Sequence, residues 1–163
     1  VNPRLELQEA PQTARGCATT INPVWTMRHS LTYLYVHIVW STWRRAPLIT
    51  RELQPHIYGA IQHQASQLRC EVIAIGGIED HVHVLLRYPP TVAISDLVRH
   101  MKGASSHLVT HVLGHRNAFK WQGAYGAFSL SKRGLPYVRE YVLNQEAHHR
   151  DGTLNRALEA DSM

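Results

Sequence analysis

Two histidines one residue apart, His81 and His83, open the run "HVHVLL", and a tyrosine and a glutamine four residues apart, Tyr141 and Gln145, lie near the far end of the chain. On an extended strand, side chains alternate, so both imidazoles face one side while Val82, Val84 and Leu86 face the other. Two imidazoles on one face can share one ion. Imidazole nitrogen suits borderline metals such as Mn²⁺, Zn²⁺ or Co²⁺, whereas Mg²⁺ prefers oxygen, which leaves the ion open. An HxH pair in a chain with 12 histidines is equally compatible with two solvent-facing rings. On a helix, Tyr141 and Gln145 share a face, and Tyr137 and His149 extend the stripe. A phenol beside a metal suits nucleophilic attack on phosphorus, giving a covalent phosphotyrosine that keeps the energy of the broken ester. That is the chemistry of strand transfer rather than hydrolysis. The competing reading places Tyr137 and Tyr141 in an amphipathic core, although Val138 and Val142 already supply that helix with a packing face.

These residues need elements to hold them. The 163 residues suit one domain, and a net charge of +5 favours a polyanionic partner, nucleic acid before membrane. Cys17 and Cys70 form no recognisable disulfide or metal pattern, so a cytoplasmic home is expected. No run is long and apolar enough to span a membrane, and residues 1–26 read as a disordered leader or an over-extended start before Met27. "LTYLYVHIVWST" (31–42) predicts a strand, and 51–68 a helix behind Thr50 as N-cap. "EVIAIGGIE" and "HVHVLLRY" predict adjacent antiparallel strands, and 93–113 a second helix. Residues 114–126 predict a long loop, 127–131 a short strand, 135–150 a last helix starting at Pro136, and 151–163 a frayed tail. The order β-α-β-β-α-β-α predicts an α+β, ferredoxin-like (split βαβ) antiparallel sheet. Its helices would cover one face and leave the other available, and the added C-terminal helix would carry the tyrosine.

The stretches "EDHVHVLL", "LVRHMKGASS", "FKWQGAYGAFSLS" and "VREYVLNQEAHH", in that order and spacing, closely resemble the single-tyrosine HUH transposases of the insertion-sequence 200/605 type, including the REP-associated tyrosine transposases. The resemblance covers about residues 30–150. It implies the same ferredoxin-like fold, a homodimer with active sites that can be composite, and single-stranded DNA hairpins as substrate. Within it, His81 and His83 match the metal-binding histidines, Tyr141 the nucleophile that forms a 5′-phosphotyrosine, and Gln145 the third ligand of a divalent ion, Mg²⁺ or Mn²⁺. For DNA contacts, charge and aromatic character nominate Arg44, Arg45, Arg99, Lys102, Lys120, Lys132 and Arg133 for phosphates, with Trp121 and Tyr125 for base stacking. Two rival readings fit less of the sequence. A histidine-triad nucleotide hydrolase needs a third histidine where Leu85 stands. A non-catalytic nucleic-acid-binding module on the same fold would leave the HxH and Tyr-x-x-x-Gln pairs without a task.

Overall fold

The computed structural model describes residues 31–115 and 119–159, so the expected leader at 1–26 lies outside the described residues. The elements are β1 (Tyr35–Ser41), α1 (Gln54–Gln67), β2 (Glu71–Ile78), β3 (His81–Arg87), α2 (Ile94–His107), β4 (Gly126–Leu130), α3 (Leu135–Leu143) and α4 (Gln145–Asp151). The four strands form one antiparallel sheet in the order β2-β3-β1-β4, the split βαβ arrangement, with β3 between the strands that α1 connects. Among the described residues, no helix is long and apolar enough to cross a membrane.

Alternation along the strands decides which side each helix covers. Val36, Ile38 and Trp40 of β1 and Val82, Val84 and Leu86 of β3 pack with Ile57 and Ile61 of α1 and Leu97, Val98 and Met101 of α2 in the main core. The opposite face was expected to stand open. Instead, Val138 and Val142 of α3 pack there on Ala74 and Leu85 in a second, smaller core. Those valines are the apolar stripe of α3, and burying it against the sheet removes it from water.

The last helix is not continuous. Asn144 leaves helical geometry (φ −106°, ψ 24°), and its side-chain amide donates to the Glu140 carbonyl at 2.9 Å, so the chain breaks there into α3 and α4. An asparagine that bonds its own backbone competes with the helical ladder. Other boundaries moved less. Thr50 Oγ1 accepts the Leu53 N–H at 3.3 Å one turn before α1 begins, and α2 ends in a π-helical turn, Leu108–Val112. The expected frayed tail folds back as far as Glu159, with Leu158 packed on the smaller core.

Gly76 lets α3 approach the sheet. A Cβ at this position would lie 1.9 Å from the Val142 carbonyl oxygen, a backbone atom that cannot rotate away. Gly76→Ala is therefore expected to push α3 off the sheet, at a cost of about 1–3 kcal/mol, the usual range for overpacking. Urea denaturation checks this, and an unchanged midpoint would show that α3 does not dock this closely.

Candidate active site

A cross-strand ring fixes one imidazole of the HxH pair, and an adjacent carboxylate fixes the other. His83 is fully buried, and its Nδ1 lies 2.9 Å from Nε2 of His37, a β1 residue whose ring stacks on it at 5.1 Å. Phe128 of β4 stacks on His37 in turn, at 5.8 Å. His81 is held differently, with its Nδ1 2.5 Å from Asp80 Oδ1, while Arg45 donates to Asp80 Oδ2 at 3.0 Å. Both rings are thus oriented through Nδ1 and turn Nε2 inward. This is the arrangement by which outer partners aim metal-ligating histidines.

Around these nitrogens the C-terminal elements converge. The Tyr141 ring stands edge-on to His83 with centroids 6.1 Å apart and stacks on His148 at 4.7 Å. Its hydroxyl donates to Glu159 Oε1 and accepts the Asn155 N–H at 3.2 Å. The other carboxylate oxygen, Glu159 Oε2, lies 3.6 Å from His83 Nε2. His149 of α4 brings its Nε2 to 3.2 Å from His81 Nε2. A cleft of about 420 Å³ opens beside His149, with Arg51, Glu79 and Arg150 in its walls.

The donor set fits a divalent ion. His81, His83 and Glu159 offer one ligand atom each, all within 4.8 Å of one another. Gln145 is buried, its Nε2 donates to the Tyr141 carbonyl at 3.3 Å, and its Oε1 has no hydrogen-bond partner among the described residues. A buried amide oxygen without a partner is costly unless something supplies the missing interaction. Burial holds His83 well below the ordinary imidazole range, helped by the neighbouring His81, and burial pushes His37 down to about 4. Both rings are therefore neutral at physiological pH, as metal ligation and its support require. Burial and the Glu159 carboxylate push the Tyr141 phenol up to about 12. Burial would raise Asp80 as well, but the bonds from His81 and Arg45 outweigh it and keep its carboxyl below the usual range.

The residues nominated for DNA contact are scattered. Trp121 is buried, edge-on to Trp40 and Phe119, with its indole N–H donated to Ser105 at 3.0 Å, so its ring anchors the loop instead of facing solvent. Tyr125 is half-buried against the same core. The Lys102 ammonium donates to the carbonyls of Gln122, Gly123 (3.3 Å) and Ala124 (3.1 Å), which ties the loop down and occupies the charge. Arg99 is exposed and pairs with Asp96. Lys120 and Lys132 rest over the rings of Trp43 and Tyr33, and Arg133 is exposed. The sequence reading missed His37, Asp80 and Glu159. His37 had a signal, a lone histidine inside an apolar strand, but Glu159 had none, because only the folded tail brings it to the site.

The sequence model of IS200-like transposases matches residues 30–145. The ISDra2 transposase TnpA of Deinococcus radiodurans is 26% identical over 127 residues, which cover 73% of this chain and 91% of that protein. Among solved structures, a transposase from Deinococcus radiodurans R1 superimposes with a TM-score of 0.57 at 25% identity, over 72% of this chain and 95% of that one. A REP-associated tyrosine transposase bound to a REP hairpin gives a TM-score of 0.58 at 17% identity, over 75% of this chain and 72% of that one. At that identity the likeness speaks to the fold.

Proposed function

The chain belongs to the family of IS200-like transposases, and from that premise we propose that it nicks and rejoins single-stranded DNA at hairpin-bearing ends, with Tyr141 as nucleophile. The observation that carries this reading is the meeting, within one chain, of the Tyr141 phenol with the inward-facing His83 of the HxH pair. His81, His83 and Gln145 would hold a divalent ion, Mg²⁺ or Mn²⁺, which when bound neutralises charge on the scissile phosphate. In the step itself, Tyr141 Oη bonds to phosphorus and the P–O3′ bond breaks. The products are a 5′-phosphotyrosine and a free 3′-hydroxyl. Rejoining reverses this, as a 3′-hydroxyl attacks the phosphotyrosine and Tyr141 recovers its proton. A phenol held near 12 is almost wholly protonated at pH 8, so its proton must pass to a base or water as the attack proceeds, and the departing 3′-oxygen takes one up in turn.

Since Tyr141 reaches its own chain's histidines, the homodimer that the family resemblance implies would carry two complete sites unless α3 is exchanged between subunits. The deciding experiment incubates the protein with 5′- and 3′-labelled hairpin oligonucleotides and Mn²⁺ or Mg²⁺. A denaturation-resistant adduct carrying the 5′-phosphate side is expected. A protein that binds the hairpin and never forms the adduct would be the non-catalytic module instead.

Glu159 bears on the same step. Its carboxylate spans from the Tyr141 hydroxyl to His83 Nε2. With no ion between them, like charge opposes the approach of a phosphodiester to Tyr141 past this carboxylate. Glu159→Ala is expected to speed adduct formation severalfold, read as initial rates on one hairpin substrate. A slower rate would mean that the carboxylate serves the reaction and does not block the site.

A further inference from the structure

Directly after β1 the chain makes an unfavourable turn. Arg44 and Arg45 both take left-handed backbone geometry (φ 55° and 53°), which side chains other than glycine rarely adopt and which persists only where the surroundings enforce it. Here the enforcement comes from the site: Thr42 N–H donates to the Asp80 carbonyl at 2.8 Å, and Arg45 holds the Asp80 carboxylate that orients His81. The turn presents Trp43, which is 40% exposed. The Lys120 ammonium lies 3.9 Å from the centroid of that ring, and the Arg44 guanidinium lies 5.9 Å from it. Indole and lysine are locked together through the backbone, because Trp43 N–H donates to the Lys120 carbonyl at 2.8 Å and Thr42 bridges to Trp121.

We propose that Trp43 is a stacking platform for an unpaired base of the single-stranded DNA, with Lys120 and Arg44 receiving that nucleotide's phosphate, immediately beside the His81 side of the active site. An exposed indole offers π-surface to any base, and the cations held against it meet the charged backbone, the combination by which proteins hold single strands without reading their sequence. Position supports the assignment. Ser41 pairs with His81 across the sheet, so Trp43 stands two residues beyond that pair. A comparable grouping, Tyr33 with Arg87 (5.7 Å) and Lys132 (4.7 Å), stands two residues before Tyr35, which pairs with Arg87. It therefore lies at the far end of β1, roughly 20 Å along the strand.

The proposal rests on the single-strand reading above, and its test separates the two. In a Tyr141→Phe background, which stops chemistry, a short fluorescein-labelled single strand of mixed sequence and its duplex are titrated by anisotropy. Trp43→Ala is expected to weaken single-strand binding roughly five- to a hundredfold. Trp43→Phe should retain most of the affinity, and Tyr33→Ala should stay near the parent. Lys120→Gln should lower the dependence on log salt concentration by about one. The parent should show quenching of tryptophan emission by the strand that Trp43→Phe lacks. If the parent binds and Trp43→Ala binds equally well, the platform is wrong while the function stands. Equal losses for Trp43→Ala and Tyr33→Ala, or for strand and duplex, would also overturn it. If the parent binds no single strand at all, the functional reading itself fails, and the platform with it.

Discussion

Tyr141→Phe is expected to leave a folded protein that forms no covalent DNA adduct, with strand cleavage reduced at least about a thousandfold, as when an enzyme loses its nucleophile. Phenylalanine keeps the ring that stacks on His148 and stands against His83, so packing survives. What disappears is the hydroxyl, with its bond to Glu159 and the Asn155 N–H that it accepts. Those bonds contribute about 1–3 kcal/mol together, most of it from Glu159, which is buried and loses the phenol as a donor. Binding of the hairpin should persist, because the phenol contributes to chemistry and not to the charge that holds phosphates. Labelled hairpin, denaturing gels and a urea titration measure all three quantities. An adduct that survives in Tyr141→Phe would move the nucleophile elsewhere, with Tyr137, exposed and hydrogen-bonded to Asn155, the next residue to test.

His83→Ala is expected to act on metal and fold together. The ring is wholly buried between His37 and Tyr141, so its removal opens a cavity and leaves His37 Nε2 without its partner. A buried polar atom that loses its only bond costs about 1–3 kcal/mol, and the cavity adds to that. Mn²⁺ binding, followed by electron paramagnetic resonance, should weaken more than tenfold. His37→Asn is the companion variant. It should remove the ring that both bonds and stacks on His83, and losses of ten- to a hundredfold in affinity are usual for such outer partners. If folded His83→Ala binds Mn²⁺ as the wild type does, the HxH pair holds no metal.

Much of this protein was readable from local pattern. Strand alternation at Val82, Val84 and Leu86 put the two histidines on the other face, because the pleat leaves no choice once the valines are buried. The order of elements yielded the split βαβ sheet, since short connections and right-handed crossovers leave few alternatives. The spacing of Tyr141 and Gln145 predicted a shared helix face, but not its burial: both side chains are buried, and the helix breaks between them at Asn144.

Other features depended on contacts between distant segments. Local pattern in the loop could not show that Trp121 faces inward, because its burial is decided by Trp40, 81 positions earlier, and by Ser105 of α2. Likewise, nothing near Glu159 marks it: a carboxylate in a polar tail is ordinarily solvated, and it enters the site only because Leu158 finds apolar surface beside α3. The sequence by itself determined the chemical groups, their faces and the topology, because these follow from backbone periodicity. The tertiary structure alone decided that α3 closes over the histidines, through the missing side chain at Gly76, and that His37 and Glu159 join them. The physical reason is range: periodicity acts over a few residues, whereas packing joins groups that the chain separates by 46 positions or more.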